Sequence, residues 1–188
     1  MIEVRFHGRG GQGVVIASQI LAVAAFKEGL YSQSFSVFGG ERRGAPVQSF
    51  TRIDEKAVPL RCKVYYPDHT VVLDCALMRF VDVTQGLKDG GWIIVNSEQK
   101  PEEMTLPFKF SIATVDASSI ALRHGLGTPQ APLVNTVMLG AFSRVVGIVS
   151  LQAILDAIRE EVPARKEENA SAARDAYDHI NWIRIEDR

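Results

Sequence analysis

Glycines near the amino end of the chain are the residues best placed to bind a ligand. The chain reads Gly8-Arg9-Gly10-Gly11-Gln12-Gly13 directly after the strand-like residues 2–7, and a long apolar, helix-like stretch follows from Val14. Glycines spaced G-x-G-x-x-G between a strand and a helix allow the main chain to approach a ligand closely, and N–H groups at the helix N-terminus can bind an anion. The spacing predicts a loop that contacts a diphosphate, another anion or a partner chain, whereas the alternative is that the glycines only permit tight helix–sheet packing.

The second half of a dinucleotide-binding fingerprint is missing from the sequence. An NAD site has an Asp or Glu about 20 residues after the glycines, at the end of the second strand. Here the second strand offers Gln33, Ser34 and Ser36, and the next acid, Glu41, lies in another glycine-rich loop. A self-sufficient NAD(P)- or flavin-binding oxidoreductase is therefore retained only as the alternative function.

A second glycine-rich loop carries two arginines. It reads Gly39-Gly40-Glu41-Arg42-Arg43-Gly44 within residues 38–46. Arginine binds phosphate or carboxylate groups through two parallel hydrogen bonds, so a loop of this kind can place guanidinium groups against an anion. An internal Glu–Arg ion pair on the surface is the simpler alternative. We interpret the loop as functional, at a ligand or at a protein interface.

Three segments are expected to meet at one edge of the sheet. Open α/β sheets bind ligands at the carboxyl ends of their strands. The 8–13 loop, the 38–46 loop and the polar turn Asn135-Thr136 would converge there. Within the first loop, Arg9 and Gln12 can donate hydrogen bonds outward or remain solvated.

The sequence contains no recognisable catalytic set. No nucleophile–base pair and no H-E-x-x-H metal motif stand out, and we predict that His7 is a core histidine. Cys62 and Cys75 are the only cysteines, whereas an iron–sulfur cluster generally needs four thiolates. Both cysteines are expected in the core. We infer a domain without metal or catalytic residues of its own, which assists chemistry that lies elsewhere.

Composition limits the class of protein. A chain of 188 residues with 46% apolar residues predicts a single domain spanning residues 1–188. The net charge of −1 gives no reason to expect nucleic acid as a partner. No apolar run approaches the roughly 18–20 residues that cross a bilayer, and no signal-peptide pattern is present. We expect a cytoplasmic protein with no membrane partner.

Strand-like and helix-like segments alternate along the chain. This alternation predicts a three-layer α/β/α domain with a Rossmann-like, mainly parallel sheet. Residues 47–53 and 58–64 are predicted to pair as an antiparallel hairpin inserted into that sheet, and residues 75–87 are predicted to form a helix. The further predicted strands are 2–7, 31–37, 70–73, 92–95 and 110–115, and the further helices are 13–28, 117–123, 138–146 and two at the carboxyl end.

The three motifs together resemble a known family. The glycine loop 8–13, the loop 38–46 and the run Asn135-Thr136-Val137-Met138-Leu139-Gly140 are similar to the gamma subunit of 2-oxoacid:ferredoxin oxidoreductases. The pyruvate and 2-oxoisovalerate enzymes are the nearest members. The likeness extends over roughly residues 2–180.

The resemblance implies an oxidoreductase subunit that is not catalytic alone. Such complexes decarboxylate pyruvate or a branched-chain 2-oxoacid to an acyl-CoA and carbon dioxide and reduce ferredoxin. The resemblance places thiamine diphosphate, magnesium and iron–sulfur clusters on partner subunits and gives this chain no cofactor of its own, only a contact with coenzyme A. The implied partners are alpha, beta and ferredoxin-like (delta) subunits, with external ferredoxin as acceptor.

The resemblance also assigns positions on this chain. Residues Gly8 to Gly13 and Gly39 to Gly44 would face the partner subunits and the coenzyme A region, and Asn135 and Thr136 would line the same edge. Gly40 departs from the proline or alanine expected in many relatives, which makes the second loop more flexible. A third reading is that the glycine loops only hold subunits together.

Overall fold

The computed structural model describes residues 1–37, 44–60, 62–107 and 109–187. The strands in this part of the chain are β1 (Ile2–Arg9), β2 (Tyr31–Val37), β3 (Pro46–Asp54), β4 (His69–Val72), β5 (Trp92–Asn96), β6 (Ser111–Val115), β7 (Gly127–Thr128), β8 (Ala131–Pro132) and β9 (Asn181–Ile183). The helices are α1 (Val14–Lys27), α2 (Ala117–Arg123), α3 (Asn135–Val146), α4 (Leu151–Glu161) and α5 (Lys166–His179). Short 3-10 turns span Cys75–Arg79, Pro101–Glu103 and Ile185–Asp187.

Seven of these strands form one mixed sheet in the order β2-β3-β1-β4-β5-β6-β9. Strands β1, β4, β5 and β6 are parallel neighbours, whereas β3 is antiparallel to both β1 and β2, and β9 is antiparallel to β6. Strands β7 and β8 make a separate small antiparallel pair. The predicted α/β class, with a mostly parallel sheet, is confirmed.

Two unequal layers cover the sheet. The face that carries Val4, Phe6 and Ile94 shares one large apolar core with residues of all five described α-helices. The opposite face, with Ile93 and Val95, is covered by 3-10 turns and loops around a smaller apolar cluster. Successive residues of a strand belong alternately to the two cores, because side chains along a strand point to opposite faces.

The order of the strands reverses beside β1. Helix α1 connects β1 to β2, on one side of β1, whereas β4 lies on the other side and the chain then continues to β5 and β6. In open α/β sheets the crevice at such a reversal, outside the carboxyl ends of the strands, is where ligands bind. The glycine loop that follows β1 lies at this position.

The predicted pairing of residues 47–53 with 58–64 is wrong. Strand β3 covers the first segment, but its antiparallel partners are β2 and β1. The side chain of Arg52 is buried and its guanidinium donates to the carbonyls of Leu60 (3.3 Å) and Cys62 (2.7 Å). Pro59 also lacks the N–H that a strand ladder needs. These contacts hold the segment as a covering loop over the sheet.

The predicted helix over residues 75–87 is also wrong beyond Arg79. After the 3-10 turn, the carboxylate of Asp82 accepts hydrogen bonds from the main-chain N–H (2.9 Å) and the hydroxyl (2.6 Å) of Thr84. A side chain that bonds the backbone two residues ahead competes with helical hydrogen bonding. Gly86 then adopts a left-handed φ of 71°, which ends any helical path.

Helices α3 and α5 cross at very short range. Gly140 in α3 faces the main chain of Ala173 in α5, and a methyl group at Gly140 would overlap the Ala173 carbonyl. Small residues at this crossing, including Ala170 and Ala176, are buried in the shared core. The crossing therefore depends on the absence of a side chain at one position.

No helix of the described residues combines the length and apolar character needed to span a bilayer.

Replacing Gly140 by alanine should destabilise the fold strongly. The added methyl group must separate two buried helices, so we expect a loss of about 3 kcal/mol in the free energy of unfolding measured by urea denaturation. The matched variant is Gly147→Ala, where the added methyl meets open space but the φ of 70° is strained. It should cost about 1 kcal/mol. Equal losses in the two variants would contradict the close crossing.

Candidate functional site

The glycine loop after β1 is shaped by two left-handed residues. Gly11 has a φ of 95° and Gly13 a φ of 73°. Residues other than glycine rarely adopt this region of backbone conformation. Gly13 occupies the N-cap position of α1, where no side chain caps the helix. The N–H groups of the first turn of α1 have no acceptors within the helix and are available to an anion.

Gly8 and Gly13 are required by close packing. A Cβ at Gly8 would lie 2.5 Å from Cγ2 of Val14 and 3.3 Å from Cβ of Leu73. A Cβ at Gly13 would lie 2.5 Å from Nδ2 of Asn135. The absence of side chains at these two positions brings the start of α1 against β1, the residue after β4 and the first turn of α3.

The end of the second predicted loop joins the first. The N–H of Gly10 donates to the carbonyl of Ala45 (2.9 Å), and the N–H of Gly44 donates to the carbonyl of Gly10 (3.2 Å). These bonds extend the β1–β3 ladder past Arg9 and Pro46, which are paired in register. The candidate residues Gly40, Glu41, Arg42 and Arg43 lie outside the described residues.

The third motif meets the glycine loop through only one of its two polar residues. Asn135 and Thr136 form the first turn of α3 rather than the turn expected from sequence. Asn135 contacts Gly13, as the predicted convergence requires. Thr136 is fully buried, and its hydroxyl donates to Oδ1 of Asn169 (2.8 Å). Thr136 therefore cannot line the edge itself and instead orients Asn169.

The side chains of Arg9 and Gln12 turn inward to Asp74. Nε of Arg9 lies 2.6 Å from Oδ2 of Asp74, and Nε2 of Gln12 donates to the same oxygen at 3.3 Å. Oε1 of Gln12 accepts from the main-chain N–H of Arg9 at 2.7 Å. Asp74 was not predicted from the sequence, although an acidic residue two positions after a buried strand, at the carboxyl edge of the sheet, was a usable signal.

An apolar cleft of about 910 Å³ opens beside the glycine loop. Its polar groups are few, so it can hold the apolar part of a ligand while its rim binds charge. The glycine loop and first turn of α1 form one wall. The residues that line the cleft are Arg9, Gly10, Gly11, Gly13, Val14, Val15, Ile16, Val47, Gly125, Leu126, Gly127, Leu133, Asn135, Val162, Pro163, Ala164, Arg165 and Asn169.

Arg165 supplies a second cation, besides Arg9, to the lining of the apolar cleft. It precedes α5 with a left-handed φ of 54°, and its guanidinium donates to the carbonyl of Gly125 and to Oε1 of Glu168 (3.4 Å). Half of its side chain remains exposed. Nothing in the local sequence marks Arg165 as a site residue, because it lines the cleft only through the packing of the carboxyl-terminal helices.

A second, polar cleft of about 510 Å³ lies on the other side of the loop. It borders the carboxyl ends of β4, β5 and β6, and Gln12 and Asp74 belong to its lining. Asn96 in this cleft is held by the carbonyl of Leu73 (3.0 Å) and the hydroxyl of Ser118 (3.0 Å). Residues of the glycine loop thus line both an apolar cleft and a polar one.

Both cysteines are exposed, so their predicted place in the core is wrong. Cys62 lies in the covering loop that Arg52 holds, and Cys75 begins the 3-10 turn beside the polar cleft. Across the described ranges, no group of three or more His, Cys, Asp or Glu side chains is arranged to hold a metal ion.

His7 is buried in the loop-covered face of the sheet, as predicted. Its Nε2, together with Nε of Arg5 and the hydroxyl of Thr70, has no hydrogen-bond partner among the described residues. Burial, and then the neighbouring Arg5 charge, lower the pKa of His7 to about 3. The imidazole is therefore neutral near pH 7, and His7 is not among the residues that line either cleft.

Comparison with known proteins identifies the family. The model of the pyruvate ferredoxin/flavodoxin oxidoreductase family matches residues 3–179. The chain belongs to this family. A relative from Thermococcus kodakarensis, described as the common subunit gamma of pyruvate/ketoisovalerate oxidoreductases, is 52% identical over 94% of this chain and 96% of its own. The chain is accordingly a gamma-type subunit of a pyruvate or 2-oxoacid ferredoxin oxidoreductase.

Solved structures share the same fold. Pyruvate oxidoreductase subunit PORC from Thermotoga maritima is 35% identical, with a TM-score of 0.80, covering 96% of this chain and 97% of that one. A 2-oxoglutarate:ferredoxin oxidoreductase from Magnetococcus marinus was solved with 2-oxoglutarate, coenzyme A and succinyl-CoA bound. It aligns with a TM-score of 0.71 at 19% identity, over 94% of this chain and 30% of that chain. At that identity the likeness is one of fold alone.

Acid should destabilise the fold through His7. The unfolded chain protonates this imidazole below a pKa of about 6.5, whereas the folded chain keeps it neutral down to about 3. Stability therefore falls as the pH falls through this window, by about 1.4 kcal/mol per unit. When urea denaturation is compared at pH 7 and pH 5, the free energy of unfolding of His7→Gln should fall by about 2 kcal/mol less than that of the parent chain. The exposed His179→Gln serves as control, and an unchanged pH slope in His7→Gln would contradict the assignment.

Proposed function

We propose that this gamma-type subunit forms one side of the route by which coenzyme A reaches the reaction centre of its complex. The observation that carries the proposal is the apolar cleft whose wall is the glycine loop and the uncapped N-terminus of α1. Arg165 also lines this cleft. A cleft with an anion-binding rim and an apolar interior fits a ligand that joins a diphosphate to an apolar arm.

The residues of the cleft match the parts of coenzyme A by chemistry. N–H groups at the start of α1 and the Arg165 guanidinium suit phosphate oxygens. Leu126, Leu133 and Val162 offer apolar surface to the pantetheine arm. The 2-oxoglutarate enzyme from Magnetococcus marinus, which shares this fold, was solved with coenzyme A bound. Gly40 to Arg43 complete the proposed binding segment.

The remaining chemistry belongs to other subunits. Thiamine diphosphate, with magnesium, would supply the electron sink for oxidative decarboxylation, and iron–sulfur clusters on partner chains would carry electrons to ferredoxin. The relative from Thermococcus kodakarensis is described as common to pyruvate and ketoisovalerate enzymes. A subunit shared by two enzymes that act on different oxoacids implies that the oxoacid pocket lies on other subunits. We propose alpha, beta and ferredoxin-like partners around a single gamma domain in the cytoplasm.

Assembly can be tested by co-purification. A tagged chain expressed with its neighbouring genes should retain alpha, beta and ferredoxin-like subunits and oxidise pyruvate or 2-oxoisovalerate with coenzyme A. Titration of the purified chain with NADH, NADPH, FMN and coenzyme A provides the counter-test. Recovery of a lone monomer with its own turnover, or tight dinucleotide binding with indifference to coenzyme A, would instead favour a self-sufficient NAD(P) or flavin enzyme.

The sign of the charge at Leu133 should decide whether the cleft takes an anion. Leu133 lines the cleft and is 42% exposed, so Leu133→Glu and Leu133→Lys perturb the same apolar surface with opposite charges. In the assembled complex, we expect Leu133→Glu to raise the KM for coenzyme A about tenfold, because a carboxylate repels phosphate groups. Leu133→Lys should raise it far less. The KM for the oxoacid should stay constant in both variants.

The control is Leu122→Glu, which is similarly exposed (37%) but lies outside both clefts. It should leave the KM for coenzyme A unchanged. If Glu and Lys at position 133 both dissociate the complex and the KM of any surviving complex is normal, the cleft is a contact between subunits and the coenzyme A proposal is overturned.

A further inference from the structure

The carboxylate of Asp74, just after β4, accepts hydrogen bonds from three donors. Its Oδ1 accepts the main-chain N–H of Ala76 at 2.9 Å and so caps the following 3-10 turn. Its Oδ2 accepts from Nε of Arg9 at 2.6 Å and from Nε2 of Gln12 at 3.3 Å. The carboxylate is mostly covered, with 20% of its side chain exposed.

We propose that Asp74 is a positioning residue that fixes the glycine loop and the Arg9 guanidinium for the use of coenzyme A. This inference rests on the proposed function, because the loop is assigned to coenzyme A there. Asp74 lines the polar cleft and not the apolar one, so it acts through Arg9 and Gln12. It is therefore not a ligand-binding residue itself.

The loop is held at both ends through this one carboxylate. Gln12 bonds Asp74 with its amide nitrogen and the main-chain N–H of Arg9 with its amide oxygen, and its own N–H donates to the Arg9 carbonyl (3.0 Å). Arg9 in turn bonds Asp74 and, through Nη1, the Gly44 carbonyl at 3.3 Å. The loop, the end of the second loop and β4 therefore form one connected set of hydrogen bonds.

The geometry requires an acceptor at both oxygens of the side chain. A carboxylate is acceptor-only, and both of its oxygens are used here. An asparagine has a single acceptor oxygen, so it can cap Ala76 or bond Arg9 and Gln12, but not both. Its NH₂ group would then face either the Ala76 N–H or the Arg9 and Gln12 donors, from which it cannot accept a hydrogen bond. Asp74→Asn keeps the volume of the side chain and removes either the cap or the clamp on the loop, together with the charge that orients Arg9.

The primary test measures kinetics in the assembled complex. Asp74→Asn should raise the KM for coenzyme A about threefold to tenfold, the range expected for one partly exposed charge pair and its hydrogen bonds. The KM for the oxoacid should be unchanged and kcat should stay within about twofold of the parent. The matched control is Asp89→Asn, which removes the carboxylate of an exposed ion pair with Lys109 before β5. It should leave all three constants unchanged.

A second measurement reports the loop directly. Hydrogen–deuterium exchange of the purified chain should be about tenfold faster at the amides of residues 9–13 in Asp74→Asn, and unchanged in α3 and α5. Unchanged exchange in the loop overturns the proposal whatever the kinetics show. Faster exchange throughout the chain also overturns it, since Asp74 would then only stabilise the fold.

The Leu133→Glu variant separates this inference from the proposed function. If Leu133→Glu raises the KM for coenzyme A and Asp74→Asn does not, the positioning role is overturned and the coenzyme A route stands. If both leave that KM unchanged, the assignment of the loop to coenzyme A fails, and the positioning role fails with it. A raised KM for coenzyme A in both variants, with faster exchange confined to the loop, supports both proposals.

Discussion

Close approach of the main chain at Gly8 and Gly13 is the constraint on which the rest of the site depends. Because neither position has a side chain, the start of α1 packs directly against β1, against Leu73 after β4 and against Asn135 at the start of α3. These contacts place the uncapped end of a helix at the point where the strand order reverses. Any larger residue would move α1 outward and separate the two motifs that form the edge of the cleft.

Charged side chains hold this framework from its less regular side. Nε of Arg52, whose side chain is almost fully buried, donates to Glu3 at 2.7 Å. The other nitrogens of its guanidinium donate to main-chain carbonyls of the covering loop. Asp74 does the corresponding work at the carboxyl edge, where it joins Arg9, Gln12 and the 3-10 turn. In both places one charged group bonds several partners in segments that form no α-helix. The face of the sheet without α-helices is closed by the smaller apolar cluster beneath these segments.

The proposed distribution of tasks among the subunits is consistent with this architecture. The described part of the chain offers clefts, a glycine loop and cations, and its buried imidazole at position 7 is neutral near pH 7 and lines neither cleft. A subunit of this kind can shape access and bind the charged part of a cosubstrate. The electron-accepting chemistry requires cofactors that the proposal assigns to its partners.

The class of fold, the glycine loop and most strands and helices could be predicted from the sequence, because period-2 and period-3.6 apolar patterns and glycine spacing are local properties. The family was indicated by the resemblance of three motifs to known members. The sequence did not determine which strands pair: the 58–64 segment has strand-like alternation, but the buried Arg52 takes its carbonyls. It also did not reveal that Asp74 bonds Arg9 and Gln12, or that Arg165 lines the cleft beside the loop, because both residues lie far from the loop in the chain. Their positions arise from the order of strands in the sheet and the packing of α5 on α3, and no short stretch of residues encodes either.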